Sequence, residues 1–192
     1  MIAGPSGVGK GSVVNGLLAG DRERLARSVS VTTRAPRPSE RDGVDYRFVT
    51  DEAFDRQIAD DSLLEWAEVV GHRSGTPREA VERALTAGLD VILEIDVQGA
   101  RQVRERVPGA LLIFLAPPSP GELERRLRGR GTESDERIAL RLATADEELA
   151  QRSWFDHVVV NDRLQRAIDE VAAIIQASRE ASSRPASEEP LP

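Results

Sequence analysis

The chain has 192 residues, 40% hydrophobic and 31% charged, with 33 acidic against 26 basic side chains and a net charge of −7; this bounds it to one globular domain or at most two and argues against a sequence-independent duplex nucleic-acid binder. No cysteine is present, which excludes a disulfide framework and a thiolate metal site, and His72 and His157 lie too far apart in sequence to suggest a zinc site. The longest apolar run, Ala110 to Ala116, is far short of the ~20 residues of a membrane helix, and no signal peptide is readable, so a cytoplasmic protein without a membrane partner is expected.

The basic set is lopsided: 25 arginines and a single lysine, Lys10. A coding bias accounts for the arginines but not for the exception. Lys10 falls within Gly4-Pro5-Ser6-Gly7-Val8-Gly9-Lys10-Gly11-Ser12, which fits the GxxxxGK pattern of a phosphate-binding loop. The glycines let the backbone turn through positive φ, so that successive N–H groups point into one concavity. A helix beginning near Lys10 adds the positive end of its dipole. Lysine brings a compact point charge, whereas the planar fork of arginine is larger. The plain alternative is a Gly-rich turn that caps a helix. The hydroxyl expected directly after the lysine comes one place late, at Ser12, behind Gly11. Met1-Ile2-Ala3 leaves almost no strand ahead of the loop: either that strand is very short or residues are missing upstream, and the second is expected.

Short β-like pieces follow at Ser28–Val31, Tyr46–Val49 and Leu63–Val70, with a helix over Asp51–Ala59 among them. Thr76-Pro77-Arg78-Glu79 reads as a capping box with proline at the first helical position, and Gly88 closes that helix. Asp90–Ile95 and Ala110–Leu115 read as strands buried on both faces, and His157–Val160 as another. Ser119-Pro120-Gly121-Glu122 starts a helix through about Arg128; further helices are expected over Ser134–Gln151 and from Arg163 to about Ser178. Trp154 and Phe155 read as core packing. Alternation of strand and helix implies a parallel sheet with right-handed crossovers. The expected organisation is a core over 1–28 and 88–179, a small mixed α/β insertion over about 29–87, a lid over about 129–145, and a disordered Ser/Pro/Glu-rich tail over 180–192.

A second group of residues suits an anion: Ser30-Val31-Thr32-Thr33-Arg34-Ala35-Pro36-Arg37-Pro38 places two arginines three apart behind a run of hydroxyls. Then come Asp45-Tyr46, Leu63-Leu64-Glu65-Trp66-Ala67, Gly75-Thr76, Leu93-Glu94-Ile95-Asp96-Val97-Gln98-Gly99-Ala100, Gly129-Arg130-Gly131-Thr132-Glu133 and Val159-Val160-Asn161-Asp162. In this order, from residue 2 to about 176, these segments resemble the guanylate kinases, a nucleoside monophosphate kinase family with a P-loop NTPase fold. The combination is far more specific than the phosphate loop alone.

The resemblance implies a P-loop core of parallel strands flanked by helices, a GMP-binding insertion and a helical lid. It implies Mg²⁺-dependent phosphoryl transfer from ATP to GMP, with dGMP worth testing as an acceptor. By position it assigns Gly4, Ser6, Gly7, Gly9, Lys10, Gly11, Ser12, Arg130 and Asn161 to ATP. Ser30, Arg34, Arg37 and Tyr46 go to the GMP phosphate, and Glu65, Thr76 and Asp96 to guanine. Lys10, Arg34, Arg130 and Arg141 become the catalytic cations, and Ser12 the hydroxyl nearest the magnesium, with Glu94 within reach of its waters. Guanine carries two adjacent donors that a carboxylate accepts together, and adenine lacks the N1 donor; this supports Glu65 independently.

Each assignment has a bland alternative. Arg34 and Arg37 could be solvated loop charges, Glu65 an ordinary outward strand position, and Thr76 fully explained as an N-cap. Arg137 and Arg141 lie four apart on one helix, where like charges repel mildly; an anion would offset this, or Arg137 could pair with Glu133. Ser74 stands where the family commonly has tyrosine, and Arg73 is the candidate to compensate. The competing functions are a kinase for another nucleoside monophosphate such as AMP, and a non-catalytic guanylate-kinase-like interaction module. The intact phosphate loop and the pair Glu65 and Asp96 argue against both.

Overall fold

The computed structural model describes residues 1–38, 40–69, 71–129 and 134–183. Short parallel strands build its core: β1 (Ile2–Ala3), β2 (Leu25–Arg27), β7 (Asp90–Ile92), β8 (Ile113–Ala116) and β9 (His157–Val160). β1 pairs with β8 and β8 with β9, while β2 pairs with β7, all parallel. A parallel bridge between Ile2 and Glu94 joins the two groups. Although β1 is only two residues long, it is bonded on both sides: the Ile2 N–H donates to the Leu93 carbonyl at 2.8 Å and the Ile113 N–H to the Met1 carbonyl at 3.0 Å.

Side chains leave these strands alternately for the two faces, as a doubly covered sheet requires. Ile2, Ile92, Ile113 and Leu115 pack with Val13, Val14 and Leu17 of α1 (Lys10–Gly20) and Ala167 and Val171 of α7 (Leu164–Ser183). Ala3, Leu93, Leu112 and Phe114 pack on the other face with Val97, Ala100 and Val103 of α4 (Val97–Arg106). Phe155 joins that second face, its ring 5.1 Å from Phe114 and 4.2 Å from Trp154, as core packing should look.

The insertion is a separate mixed sheet in the order β4-β3-β6-β5: β3 (Val31–Thr32), β4 (Arg47–Phe48), β5 (Leu63–Val69) and β6 (His72–Pro77). β6, which was not legible in the sequence, pairs antiparallel with both β3 and β5. α2 (Asp51–Ala59) is capped by the Thr50 hydroxyl, which accepts from the Ala53 N–H at 3.2 Å, and buries Phe54 under this sheet with Val31 and Leu63. α3 (Arg78–Thr86) returns to the core, burying Val81 in the second cluster, and ends at Gly88 with φ 79°.

α5 (Pro120–Arg128) starts on the expected signal at Ser119, α6 (Asp135–Ala150) is capped by Ser134, and the two pack Leu123, Leu127, Ile138 and Ala145 together. α7 continues through Ser183, past the expected boundary at 179; the remainder of the expected tail lies outside the described residues. Among the described residues no helix is long and apolar enough to cross a membrane.

Candidate active site

A cleft of about 660 Å³ runs from the phosphate loop to the insertion sheet. It opens at the carboxyl ends of the parallel strands, where open α/β sheets place their ligands. The loop leaves β1 and enters α1, whose N-cap is Gly9 at φ 100°. Gly4 is required by space as well as by its φ of 140°: a Cβ there would meet the Leu115 carbonyl oxygen at 2.2 Å. The loop is braced from behind, because the Val8 carbonyl accepts from Asn161 Nδ2 at 2.8 Å and from Arg126 Nη1 at 3.2 Å. Lys10 Nζ donates to the carbonyl of Gly4, and to that of Pro5 at 3.3 Å. From α6, Arg141 Nη1 donates to Ser6 Oγ at 2.5 Å. Ser6, Gly7, Gly11 and Ser12 also line the cleft. So does Glu94, which is paired with Arg27 at 3.1 Å.

The insertion supplies the opposite wall. Ser30, Thr32, Arg34, Arg37, Tyr46 and Ser74 all line it. The Arg34 guanidinium lies 5.4 Å from the Tyr46 ring centre and 5.9 Å from that of Phe48, within cation–π range. Alternation along β6 sends His72 and Ser74 to the cleft and Arg73 away from it. Ser74 Oγ donates to Thr32 Oγ1 at 3.0 Å. Arg73 therefore does not compensate for the missing tyrosine: it bonds Asp51 and Asp55 of α2 and covers the Phe54 ring at 4.9 Å.

The floor is a buried carboxylate. Glu65 is only 3% exposed and Thr76 only 1%; the Thr76 hydroxyl donates to Glu65 Oε1 at 2.5 Å. Their backbones are register partners in the β5–β6 pair, which is what brings them together. Thr76 is therefore not the N-cap of α3. That place falls to Pro77, which offers no side-chain cap, so the capping box read from the sequence does not form. Burial pushes the Glu65 carboxyl up to about 7, with the Thr76 hydrogen bond opposing and the Asp96 charge adding to the rise. Asp96 lines the same cleft and caps α4, its Oδ1 accepting from the Gly99 N–H at 2.7 Å. Burial also raises Asp96, against that backbone hydrogen bond and the charge of Lys10.

Gly99, Thr144 and Glu148 stand at the site without a role legible in the sequence. Gly99 makes room for the floor: a Cβ there would sit 2.2 Å from Glu65 Oε2. Arg137, Arg141, Thr144 and Glu148 recur along one face of α6 and all line the cleft. Burial pushes Glu148 up to about 7 as well, partly offset by Lys10 and increased by Asp96. Arg137 and Arg141 carry a spacing legible in the sequence, while Thr144 and Glu148 have only helical periodicity to mark them. Asn161 and Thr76 do not line the cleft, and Arg130 lies outside the described residues.

The guanylate kinase family model matches residues 1–178. Guanylate kinase of Thermobifida fusca is 56% identical over 177 residues, covering 92% of this chain and 90% of the relative. That of Thermus thermophilus is 53% identical over 184 residues, covering 96% and 83%. The crystal structure of guanylate kinase from Anaplasma phagocytophilum superposes with a TM-score of 0.74 at 34% identity, over 92% of this chain and 82% of that one. With the family model spanning nearly the whole fold and relatives this similar over most of their length, the chain belongs to the guanylate kinase family.

Proposed function

We infer that this chain transfers the γ-phosphoryl group of ATP to GMP, giving ADP and GDP. One observation carries the reading: a single cleft joins a phosphate loop to a buried, recessed carboxylate, with two arginines on the wall between them. An acceptor that offers two adjacent donors to Glu65 and a dianion to Arg34 and Arg37 is a guanosine monophosphate.

Phosphoryl transfer asks for positioning and charge neutralisation, with no nucleophile from the protein. The backbone N–H groups of Gly7, Gly9 and Gly11 cradle the ATP phosphates, and Lys10 leaves the loop carbonyls for the outer phosphates. Arg141, held by Ser6, meets the γ-phosphoryl from the lid side, together with Arg130. Ser30, Arg34, Arg37 and Tyr46 hold the GMP phosphate in line. One of its oxygens forms the new bond to the γ-phosphorus as the bond to the β–γ bridging oxygen breaks. Glu65 and Asp96 read the guanine edge, and Thr76 fixes the Glu65 carboxylate. Asn161 serves the ATP side through the loop it braces.

Mg²⁺ fits as an ion carried on the ATP phosphates. Among the described residues no three His, Asp or Glu side chains gather into a cage, while Ser12 and Glu94 offer hard oxygen donors beside the loop. Bound there, it would neutralise charge on the β- and γ-oxygens.

A coupled assay of ADP release with GMP, dGMP, AMP, CMP and UMP tests the reading. Turnover with GMP, and with dGMP through the same base, is expected, and none of note with the others. Faster turnover with AMP would identify another monophosphate kinase. No ADP from folded protein with ATP and GMP would leave the non-catalytic interaction module.

A further inference from the structure

Glu40 stands behind the two arginines that the proposed function gives to the GMP phosphate. It is absent from the cleft lining, whereas Arg34 and Arg37 both line it. Its Oε1 accepts from Arg34 Nη2 at 2.8 Å and from Arg37 Nη1 at 3.4 Å. Its Oε2 accepts from the Arg37 backbone N–H at 2.8 Å, and the Glu40 N–H closes the turn onto the Arg37 carbonyl at 2.9 Å. The side chain is only 12% exposed. Burial pushes its carboxyl up, but the hydrogen bonds from Arg34 and the Arg37 N–H, with the two guanidinium charges, outweigh this and hold it below the ordinary value.

We propose that Glu40 is a positioning residue for the acceptor phosphate: from behind the wall its carboxylate holds Arg34 and Arg37 side by side, so that one dianionic phosphate monoester meets both. Two guanidiniums brought together repel, and each long side chain loses rotamer freedom when a ligand orders it. A shared carboxylate offsets the repulsion and completes the ordering before GMP arrives, which is preorganisation. A guanidinium carries five donors, so Arg34, with Nη2 on Glu40 and Nη1 on the Ala35 carbonyl, still has N–H groups to offer the phosphate. The Arg34 Nη1 bond to the Ala35 carbonyl at 2.7 Å adds to this fixing.

The inference rests on the assignment of Arg34 and Arg37 to the GMP phosphate, so the test carries a control for it. Dissociation constants for GMP and for guanosine are measured by calorimetry on the wild type, Glu40→Gln and Arg37→Ala. Glu40→Gln should weaken GMP about tenfold and leave guanosine within about twofold. The KM for GMP should rise with it and the KM for ATP should not. If Glu40→Gln fails to fold, Glu40→Asp, which keeps the charge but withdraws the carboxylate, is read in the same way. GMP binding that is unchanged or tighter, or GMP and guanosine weakened in parallel, overturns the proposal. If Arg37→Ala leaves GMP binding intact, the phosphate assignment itself has failed. If Arg37→Ala weakens GMP and Glu40→Gln does not, only the role of Glu40 has.

Discussion

Replacing Glu65 with glutamine should make the nucleotide-free protein more stable at alkaline pH while weakening the guanine contact proposed for it. Glu65 is 3% exposed, and burial pushes its carboxyl up to about 7 from an ordinary 4.5. Below 4.5 the group is neutral in folded and unfolded chains alike. As the pH rises from 4.5 through 7 the unfolded chain releases its proton first, so the folded state loses stability over that window. By pH 8 the loss from a shift of this size is about 3 kcal/mol. Glutamine has nearly the same shape, carries no charge, and can still accept the Thr76 hydroxyl proton. Its amide N–H₂ must find partners against α4, so the expected net gain at pH 8 is smaller, about 1–2 kcal/mol. Urea unfolding at pH 8 and at pH 5 measures it, and the gain should fade towards pH 5, where the wild-type carboxyl is itself neutral. A difference of the same size at both pH values, or a variant less stable at pH 8, would refute this account of Glu65. The functional cost is read with guanosine, whose binding is free of phosphate titration: the wild type should bind it more weakly as pH falls below 7, and the variant weakly throughout.

Three other outcomes follow from named contacts. Lys10→Arg keeps the charge but puts a planar fork where a point charge sits among loop carbonyls, so kcat should fall by about 100-fold or more while the melting temperature barely moves; near-normal kcat would reduce the single lysine to an accident of coding. Gly99→Ala sets a Cβ at 2.2 Å from Glu65 Oε2 and must displace that carboxylate; guanosine and GMP should weaken together, with a stability loss of about 1–3 kcal/mol in urea titrations. Ser74→Tyr restores a phenol on the cleft side of β6 at the expense of the hydrogen bond to Thr32; steady-state kinetics should show a lower KM for GMP with kcat largely intact, and a change in kcat alone would count against the phosphate-side placement of Ser74.

The elements legible in the sequence are those whose causes are local. The phosphate loop is legible because its backbone needs glycines at fixed places, and the helix start at Ser119-Pro120 because a cap is chemistry within one turn. The core strands β7, β8 and β9 are legible as apolar runs because the sheet is covered on both faces; β2 is not, since the sequence puts its β-like piece at Ser28–Val31 while the strand lies at Leu25–Arg27. β6 was not, since His72-Arg73-Ser74-Gly75-Thr76-Pro77 carries little apolar patterning and is held as a strand by its neighbours β3 and β5.

The same distinction runs through the site. The sequence marks the phosphate loop and the arginines as candidates for phosphates, and its resemblance to the family puts Glu65 forward for guanine. What each polar side chain does with its hydrogen bonds was decided in three dimensions. Thr76 satisfies every local rule for a helix cap, yet its proton goes to Glu65, because antiparallel register sets the two opposite each other and an unpaired buried carboxylate would cost more than an uncapped helix. Arg73 goes to α2 because strand alternation turns it from the cleft. Gly99 acquires meaning only from the Glu65 carboxylate that lies across from it, whereas Glu40 finds its arginines three and six residues back, within one local turn. A sequence pattern fixes what a residue can offer, and long-range packing decides which partner takes it.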